Sequence, residues 1–241
     1  MTRHVLAIDV GGTKVKALVN GETEPRKAKT GPEFTPEKLV ALVPKLAKGW
    51  KFDAISIGLP ALVSANGPVA EPGNLGPGWV GFDFVAAFDC PARIVNDAAM
   101  QALGSYDGGR MLFIGLGTGV GSALIVDQVL VGLELGDLRF DERCVSEIIG
   151  RPALEKEGKK AWRKSVLALV PPLQKAFLAD YVVLGGGNAK YMGKALPPGV
   201  RLGNNLTAFR GGFRLWGIGD APATRKINGH ARAAAAAWRV L

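Results

Sequence analysis

Asp9-Val10-Gly11-Gly12-Thr13-Lys14 is the stretch that decides how this chain reads. It lies between two apolar runs, residues 4–10 (HVLAIDV) and 15–19 (VKALV), so strand, tight turn and strand are expected. Paired glycines in such a turn let successive backbone N–H groups face one anion, which makes Gly11, Gly12, Thr13 and Lys14 candidates for phosphate binding. An acid at the end of the first strand can hold a magnesium ion through water beside those phosphates, and Asp9 is the candidate. An ordinary Gly-Gly hairpin is the plain alternative. A Walker loop is excluded, because the GxxxxGK[ST] spacing is absent and the turn opens a strand where a Walker loop opens a helix.

Working outward, residues 35–49 read as a helix entered through Thr35-Pro36. Residues 53–58 read as a strand, 82–88 as a helix, 92–95 as a short strand and 97–105 as a helix. From Arg110 a second unit begins with strands at 111–116, 120–127 and 128–132. A helical stretch follows over 145–177, expected to kink or break at Pro171-Pro172, then a strand at 181–184 and an Ala-rich helix from His230 to Leu241. Each half runs meander, helix, strand, helix, and the inferred fold class is α/β with duplicated lobes facing a cleft. The expected lobes are residues 1–108 and 109–228, with a C-terminal helix 229–241 packing back on the first.

Three further motifs carry chemistry. Gly115-Leu116-Gly117-Thr118-Gly119-Val120-Gly121-Ser122 joins two strands, so it is no dinucleotide fingerprint, which needs a helix next; Gly117, Thr118 and Gly119 read as a second phosphate turn. Leu184-Gly185-Gly186-Gly187-Asn188 follows a strand, and Gly186 and Gly187 suit close approach of a nucleotide base or ribose. Val95-Asn96-Asp97-Ala98 ends a strand where α/β sheets place ligand crevices, making Asp97 the candidate general base, with a helix N-cap as the alternative role of the pair. Asn74 and Trp79 in PGNLGPGW, with Glu134 and Asp137 in LELGD, form a polar set with an aromatic wall that suits a sugar.

Composition narrows the class. With 48% hydrophobic and 21% charged residues the chain is neither disordered nor fibrous. Two cysteines, Cys90 and Cys144, are too few for a disulfide framework and imply a reducing cytoplasm. The longest uncharged stretch, 111–126, is shorter than the ~20 residues of a membrane span and reads as a buried hairpin, so no membrane partner is expected. Net charge is +9, and residues 187–241 hold nine Lys or Arg against Asp220 alone. That asymmetry suits a polyanion or phosphate-rich ligand, or a solvated basic face; no aromatic-interleaved basic run points to nucleic acid.

The joint order of DVGGTK, GLPALV, PGN…W, VNDA, GLGTGVGSA, ELG and LGGGNAK resembles the ROK family of sugar kinases, in the actin-like phosphotransferase superfamily, over roughly residues 4–217. The resemblance implies an actin-like (ribonuclease H-like duplicated) fold with a sugar site between two lobes. It implies Asp97 as catalytic base, Asn96 and Glu134 as sugar contacts, phosphates between the 11–13 and 117–119 turns, and Gly186 and Gly187 near adenosine. EIIGRPALEKEGKKAWRKSV resembles the zinc-free branch that includes polyphosphate glucokinases, which implies Glu147 as a further sugar contact. Where the family pattern is ELGH, this chain has Glu134-Leu135-Gly136-Asp137, and the cysteine-rich zinc motif is absent, so no zinc is expected.

The expected activity is phosphorylation of a hexose, glucose first, with Mg2+ and with ATP or inorganic polyphosphate as donor. A regulatory sugar-binding protein of the same fold is the competing class, motivated by Asp137. DVGG begins at residue 9, which leaves no room for the helix-turn-helix that precedes family repressors. Family members are often dimers, which makes a homodimer a candidate assembly, although no interface can be read in the sequence.

Overall fold

The computed structural model describes residues 3–204, 206–219 and 238–241, which divide into two compact units. In the first, the chain runs β1 (Val5–Val10), β2 (Lys14–Val19), β3 (Arg26–Lys29), α1 (Pro36–Leu46), β4 (Ala54–Leu59), the short hairpin β5 (Val63–Ser64) and β6 (Gly67–Pro68), α2 (Phe84–Phe88), β7 (Ala92–Asn96) and α3 (Asp97–Ser105). The sheet order is β3-β2-β1-β4-β7, antiparallel across the β1–β3 meander and parallel from β1 through β4 to β7. Every residue of β4 is buried, as expected of a central strand covered on both faces. One face packs Ile8, Ile55 and Ile57 against Leu39, Val43 and Leu46 of α1. Thr35 caps α1, accepting from the Lys38 N–H at 3.4 Å, and Pro36 follows at the first helical position, where its missing donor costs nothing.

The second unit runs β8 (Arg110–Leu116), β9 (Val120–Val126), β10 (Val129–Leu133), the small hairpin β11 (Arg139–Phe140) and β12 (Arg143–Cys144), α4 (Val145–Ile149), α5 (Arg151–Ala176), β13 (Tyr181–Gly185) and β14 (Val200–Leu202). Its sheet runs β10-β9-β8-β13-β14, again antiparallel through the meander and parallel through β13 and β14. Strand for strand this repeats the first sheet, with β8 in the place of β1 and β13 in the place of β4. The apolar run 111–126 is the buried β8–β9 hairpin. Trp162, fully buried with its Nε1–H donating to the Ile149 carbonyl at 2.9 Å, anchors α5 on this core.

Four expectations need correction. The strands expected at 120–127 and 128–132 are separated by a two-residue turn, because Asp127 (φ 48°) and Gln128 (φ 67°) both take the left-handed conformation of a tight hairpin. The helical stretch 145–177 does not break at Pro171-Pro172: it parts at Gly150 and leaves helical angles at Gly158 (φ 78°), a conformation open to glycine. Residues 239–240 form β15 (Arg239–Val240), which extends the second sheet beside β10, where a helix was expected. The remainder of that expected helix, 229–237, lies outside the described residues.

The fourth correction concerns the boundary. The stretch 206–219, expected in the second lobe, belongs to the first unit. There α6 (Thr207–Arg214) lies on the sheet face opposite α1, with Phe209 packed against Ala7 and Leu18. Backbone contact decides this: a Cβ on Gly211 would fall on the Met100 carbonyl, one on Gly104 would fall on the Thr207 carbonyl, and one on Gly212 would press on Ala7. The glycines of FRGGF thus let α6 touch both α3 and the sheet. Ser56 and Arg214 tie the contact, donating to the carbonyls of Gly212 and Leu103 at 2.6 and 2.7 Å.

Candidate active site

In the first unit the turn after β1 is closed by the Gly11 N–H donating to the Lys14 carbonyl at 3.0 Å. Thr30, just after β3, braces it twice: its hydroxyl donates to the Gly11 carbonyl at 2.6 Å and its N–H to the Thr13 carbonyl at 3.1 Å. With these carbonyls held, the N–H groups of Gly12 and Thr13 donate to no backbone carbonyl among the described residues. That leaves two adjacent donors for an anion. Gly12 lies against Asn74: a Cβ there would come within 2.4 Å of the Asn74 amide nitrogen, so a side chain would require Asn74 to shift. Asn74 is exposed, so the predicted phosphate turn and the predicted sugar residue meet at one surface.

Asp9, the last residue but one of β1, takes an ion pair from Lys16 across the hairpin, Nζ to Oδ2 3.0 Å. Register places Asp9 beside Gly58 of β4, and Leu59 beside Asn96 of β7, so Asp9 and Asn96 lie at the same end of the sheet. Asp97 opens α3 there. Gly58 lets α3 pack closely on β4: a Cβ there would lie 2.6 Å from the Met100 Cε and 3.4 Å from the Asp97 Cα. Asn96 does what an N-cap does: its Oδ1 accepts from the Ala98 and Ala99 N–H groups at 2.9 and 3.2 Å. Its Nδ2 donates to the Ala61 carbonyl at 3.0 Å, tying the start of the β5–β6 hairpin to the helix that carries Asp97. The Asp97 Oδ1 accepts from the Ala98 N–H at 2.8 Å.

Trp79 is not an aromatic wall for a ligand. It is fully buried, lies between Phe34 and Phe84 at centroid distances of 6.4 and 6.3 Å, and donates from Nε1 to the Gly76 carbonyl. Its ring volume is worth more in the core than at a surface. Glu71 shapes the same loop, accepting from the Trp79 and Val80 N–H groups.

In the second unit the two glycine motifs are in contact. Gly186 (φ 79°) lies against the Leu116 backbone, where a Cβ would come within 2.6 Å of the Leu116 carbonyl oxygen. The Asn188 N–H donates to the Leu116 carbonyl at 2.9 Å and its Nδ2 to the Gly117 carbonyl at 3.1 Å. Gly187 and Gly119 have nothing within 4 Å of a would-be Cβ, and Thr118 is exposed between Gly117 and Gly119. The Arg151 N–H, at the start of α5, donates to the carbonyls of Gly117 and Thr118, which holds the turn from the other side.

Glu134 and Asp137 bracket a 3₁₀ turn, Leu135–Asp137, held by two serines. Ser122 accepts from the Leu135 N–H at 3.0 Å and donates to the Leu133 carbonyl, and Ser146 donates to the Gly136 carbonyl at 2.8 Å. Both carboxylates are exposed; partial desolvation, then the nearby Asp137 charge, push the Glu134 carboxyl above its ordinary range. Glu147 caps α4, its Oε2 accepting from the Cys144 N–H at 2.7 Å. With Thr118, Arg143, Ser146 and Lys156 it lines a cavity of about 380 Å3, so the second phosphate turn and Glu147 share one hollow.

Thr30, Lys16, Ser146 and Glu71 were not singled out in the sequence. Each acts on another part of the chain through hydrogen bonds or an ion pair, and no local pattern marks such a partner. Among the described residues no cluster of three metal-ligating side chains occurs, and no helix is long and apolar enough to cross a membrane.

The two sheets share one five-strand order, each with a glycine turn between the first two strands of its meander, and this duplication is the actin-like fold. The family model of the ROK family matches residues 5–136, and the chain belongs to that family. A polyphosphate glucokinase of Mycobacterium tuberculosis is 25% identical over 222 residues, covering 81% of this chain and 82% of that protein. Among solved structures, the inorganic polyphosphate/ATP-glucomannokinase from Arthrobacter sp. strain KM superposes with a TM-score of 0.74 at 22% identity, over 87% of this chain and 96% of that one. A ROK family transcriptional regulator, a homologue of the E. coli MLC protein, gives 0.65 at 14% identity, over 87% and 76%.

Proposed function

We propose that this chain is a hexose kinase, transferring the terminal phosphoryl group of ATP or inorganic polyphosphate to a sugar hydroxyl, with the glucose 6-OH as first choice. The observation that carries the reading is the common sheet end of the first unit. Asp97, Asn96 and Asp9 stand there, and the turn after Asp9 adjoins Asn74. Phosphoryl transfer needs positioning and charge neutralisation more than covalent help from the protein.

In the proposed step the sugar oxygen attacks the terminal phosphorus, the bond from that phosphorus to the donor's bridging oxygen breaks, and the hydroxyl proton passes to the Asp97 carboxylate. ADP, or polyphosphate shorter by one unit, leaves. Asn74, Asn96, Glu134, Asp137 and Glu147 are the proposed sugar contacts; Asn96 has a second amide hydrogen beyond the one given to Ala61. Gly11, Gly12, Thr13 and Lys14, with Gly117, Thr118 and Gly119, are the proposed phosphate contacts, and Gly186 and Gly187 the nucleotide contacts. The chemistry of the donor set fits a magnesium ion held by one carboxylate, water and substrate phosphates: the Asp9 oxygen not engaged by Lys16 would serve it. Bound there, Mg2+ would supply charge neutralisation at the phosphates.

The relatives named polyphosphate glucokinase support the donor class and the glucose assignment. A second reading, a sugar-responsive regulator, is favoured by Asp137 in the histidine position of the ELGH pattern and by the regulator among the fold's neighbours. Purified protein with glucose and Mg2+, assayed for glucose 6-phosphate with ATP in one series and polyphosphate in another, separates them. Product from either donor establishes the kinase; glucose binding without product from both donors sinks it in favour of the regulator.

A further inference from the structure

The second unit bears an exposed cationic patch beside its glycine motifs. Lys159, Lys160, Arg163 and Lys164 are exposed on α5, and Lys190 and Lys194 are exposed on the segment that follows Gly185-Gly186-Gly187-Asn188. The two segments meet at Tyr191: the Lys159 and Lys190 ammonium groups lie 4.8 and 5.0 Å from its ring centroid. Arg163 reaches Gly193, its Nη1 3.1 Å from the position a Cβ would take.

Among the described residues no carboxylate is paired with these groups. Residues 158–179 and 181–219 contain no Asp or Glu, and none of the six cations makes an ion pair with a described residue. The nearest acids along α5 are Glu155 and Glu157, and Glu157 is paired with Arg143 at 3.4 Å. Like charges gathered without neutralisation repel, a cost that a bound polyanion removes. The patch also has a direction. Lys156, two residues before the Gly158 break, lines the cavity that Thr118 also lines, and Lys190 stands three residues beyond Gly187.

We propose that this patch holds the chain of an inorganic polyphosphate whose reacting end lies at the glycine turns, so that long-chain polyphosphate is the donor the surface is built for. The inference rests on the kinase reading and deepens it by naming the donor. Nucleic acid fits less well, because Tyr191 is capped on its ring by ammonium groups and is not free to stack on bases.

The test compares two triple variants of the full chain with equal charge change. Lys159→Gln/Arg163→Gln/Lys190→Gln alters the patch, and Lys45→Gln/Lys48→Gln/Lys51→Gln alters exposed lysines on the first unit. Direct binding of long-chain polyphosphate and of tripolyphosphate is measured, alongside glucose phosphorylation with ATP. Loss of three exposed charge contacts is expected to weaken long-chain binding about tenfold in the patch variant, with little effect on tripolyphosphate and little effect of the control. Binding should also fall as salt rises. Long-chain binding unchanged in the patch variant, equal weakening in both variants, or no binding by the unmodified protein would each overturn the proposal. The ATP series judges the kinase reading by itself, since it can succeed while the polyphosphate arm fails.

Discussion

The hydroxyl of Thr30 donates to the carbonyl of Gly11 at 2.6 Å, bracing a turn whose Gly12 and Thr13 N–H groups donate to no backbone carbonyl among the described residues. Thr30→Val keeps the shape and removes the donor. Donor KM is expected to rise and kcat to fall, together about tenfold, the scale of one hydrogen bond to a charged or strained group. Glucose affinity should hold, and Thr30→Ser should restore the donor KM. A Val variant with unaltered kinetics would remove Thr30 from any positioning role.

Asp97→Asn is expected to preserve folding and glucose affinity while lowering turnover ~10²–10⁴-fold, the usual effect of losing a general base. Steady-state rates beside a glucose titration check it. Turnover near that of the unmodified protein would mean that the proton goes elsewhere.

At Asn96 two roles can be separated. Asn96→Ala removes the cap of α3 and should cost about 0.5–2 kcal/mol in chemical denaturation. Asn96→Asp keeps the acceptor for Ala98 and Ala99 but loses the donor to Ala61. It should retain most of the stability while weakening glucose binding. Equal stability of the Ala variant and the unmodified protein would contradict the cap.

Gly211→Ala would place a methyl group on the Met100 carbonyl, in a contact between two helix backbones that cannot yield without moving α6. Overpacking of this kind costs about 1–3 kcal/mol or more. Gly132→Ala, with nothing within 4 Å, is the control and should stay within about 0.5 kcal/mol. Thermal unfolding of the pair decides whether the glycines of FRGGF seat α6.

Glu134 bears on pH. Its carboxyl is raised by desolvation first and by Asp137 second. A raised folded-state value means that the protonated form is favoured in the fold, so the contribution is present below the unfolded value and lost as pH rises through the folded one. Glu134→Gln should therefore raise the melting temperature slightly near pH 7, and the advantage should vanish below the ordinary carboxylate range. Melting curves of both proteins across that range test the sign.

Much of the candidate site's local geometry could be read along the chain because glycine spacing and strand endings are local. DVGGTK, GLGTGVGS and LGGGN each mark a place where backbone must bend tightly or approach something closely, and each sits at the end of a strand. Trp79 misled because an aromatic among glycines and prolines looks exposed, whereas its neighbours in space are Phe34 and Phe84. Pro171-Pro172 misled because proline is a strong breaker on average, yet the positive-φ residue of α5 is Gly158.

By itself the sequence determined the duplicated order of elements, the three glycine motifs and Asp97 at the head of a helix, since strand alternation, turn chemistry and capping act over a few residues. Only the tertiary structure decided that α6 belongs to the first unit, that Thr30 braces the first turn, that Gly186 rests on Leu116, and that α5 and the 190–194 segment share one cationic patch. Those depend on which backbones come close enough to exclude a Cβ and on which charges are left without partners, and both are set by packing between residues far apart in the chain.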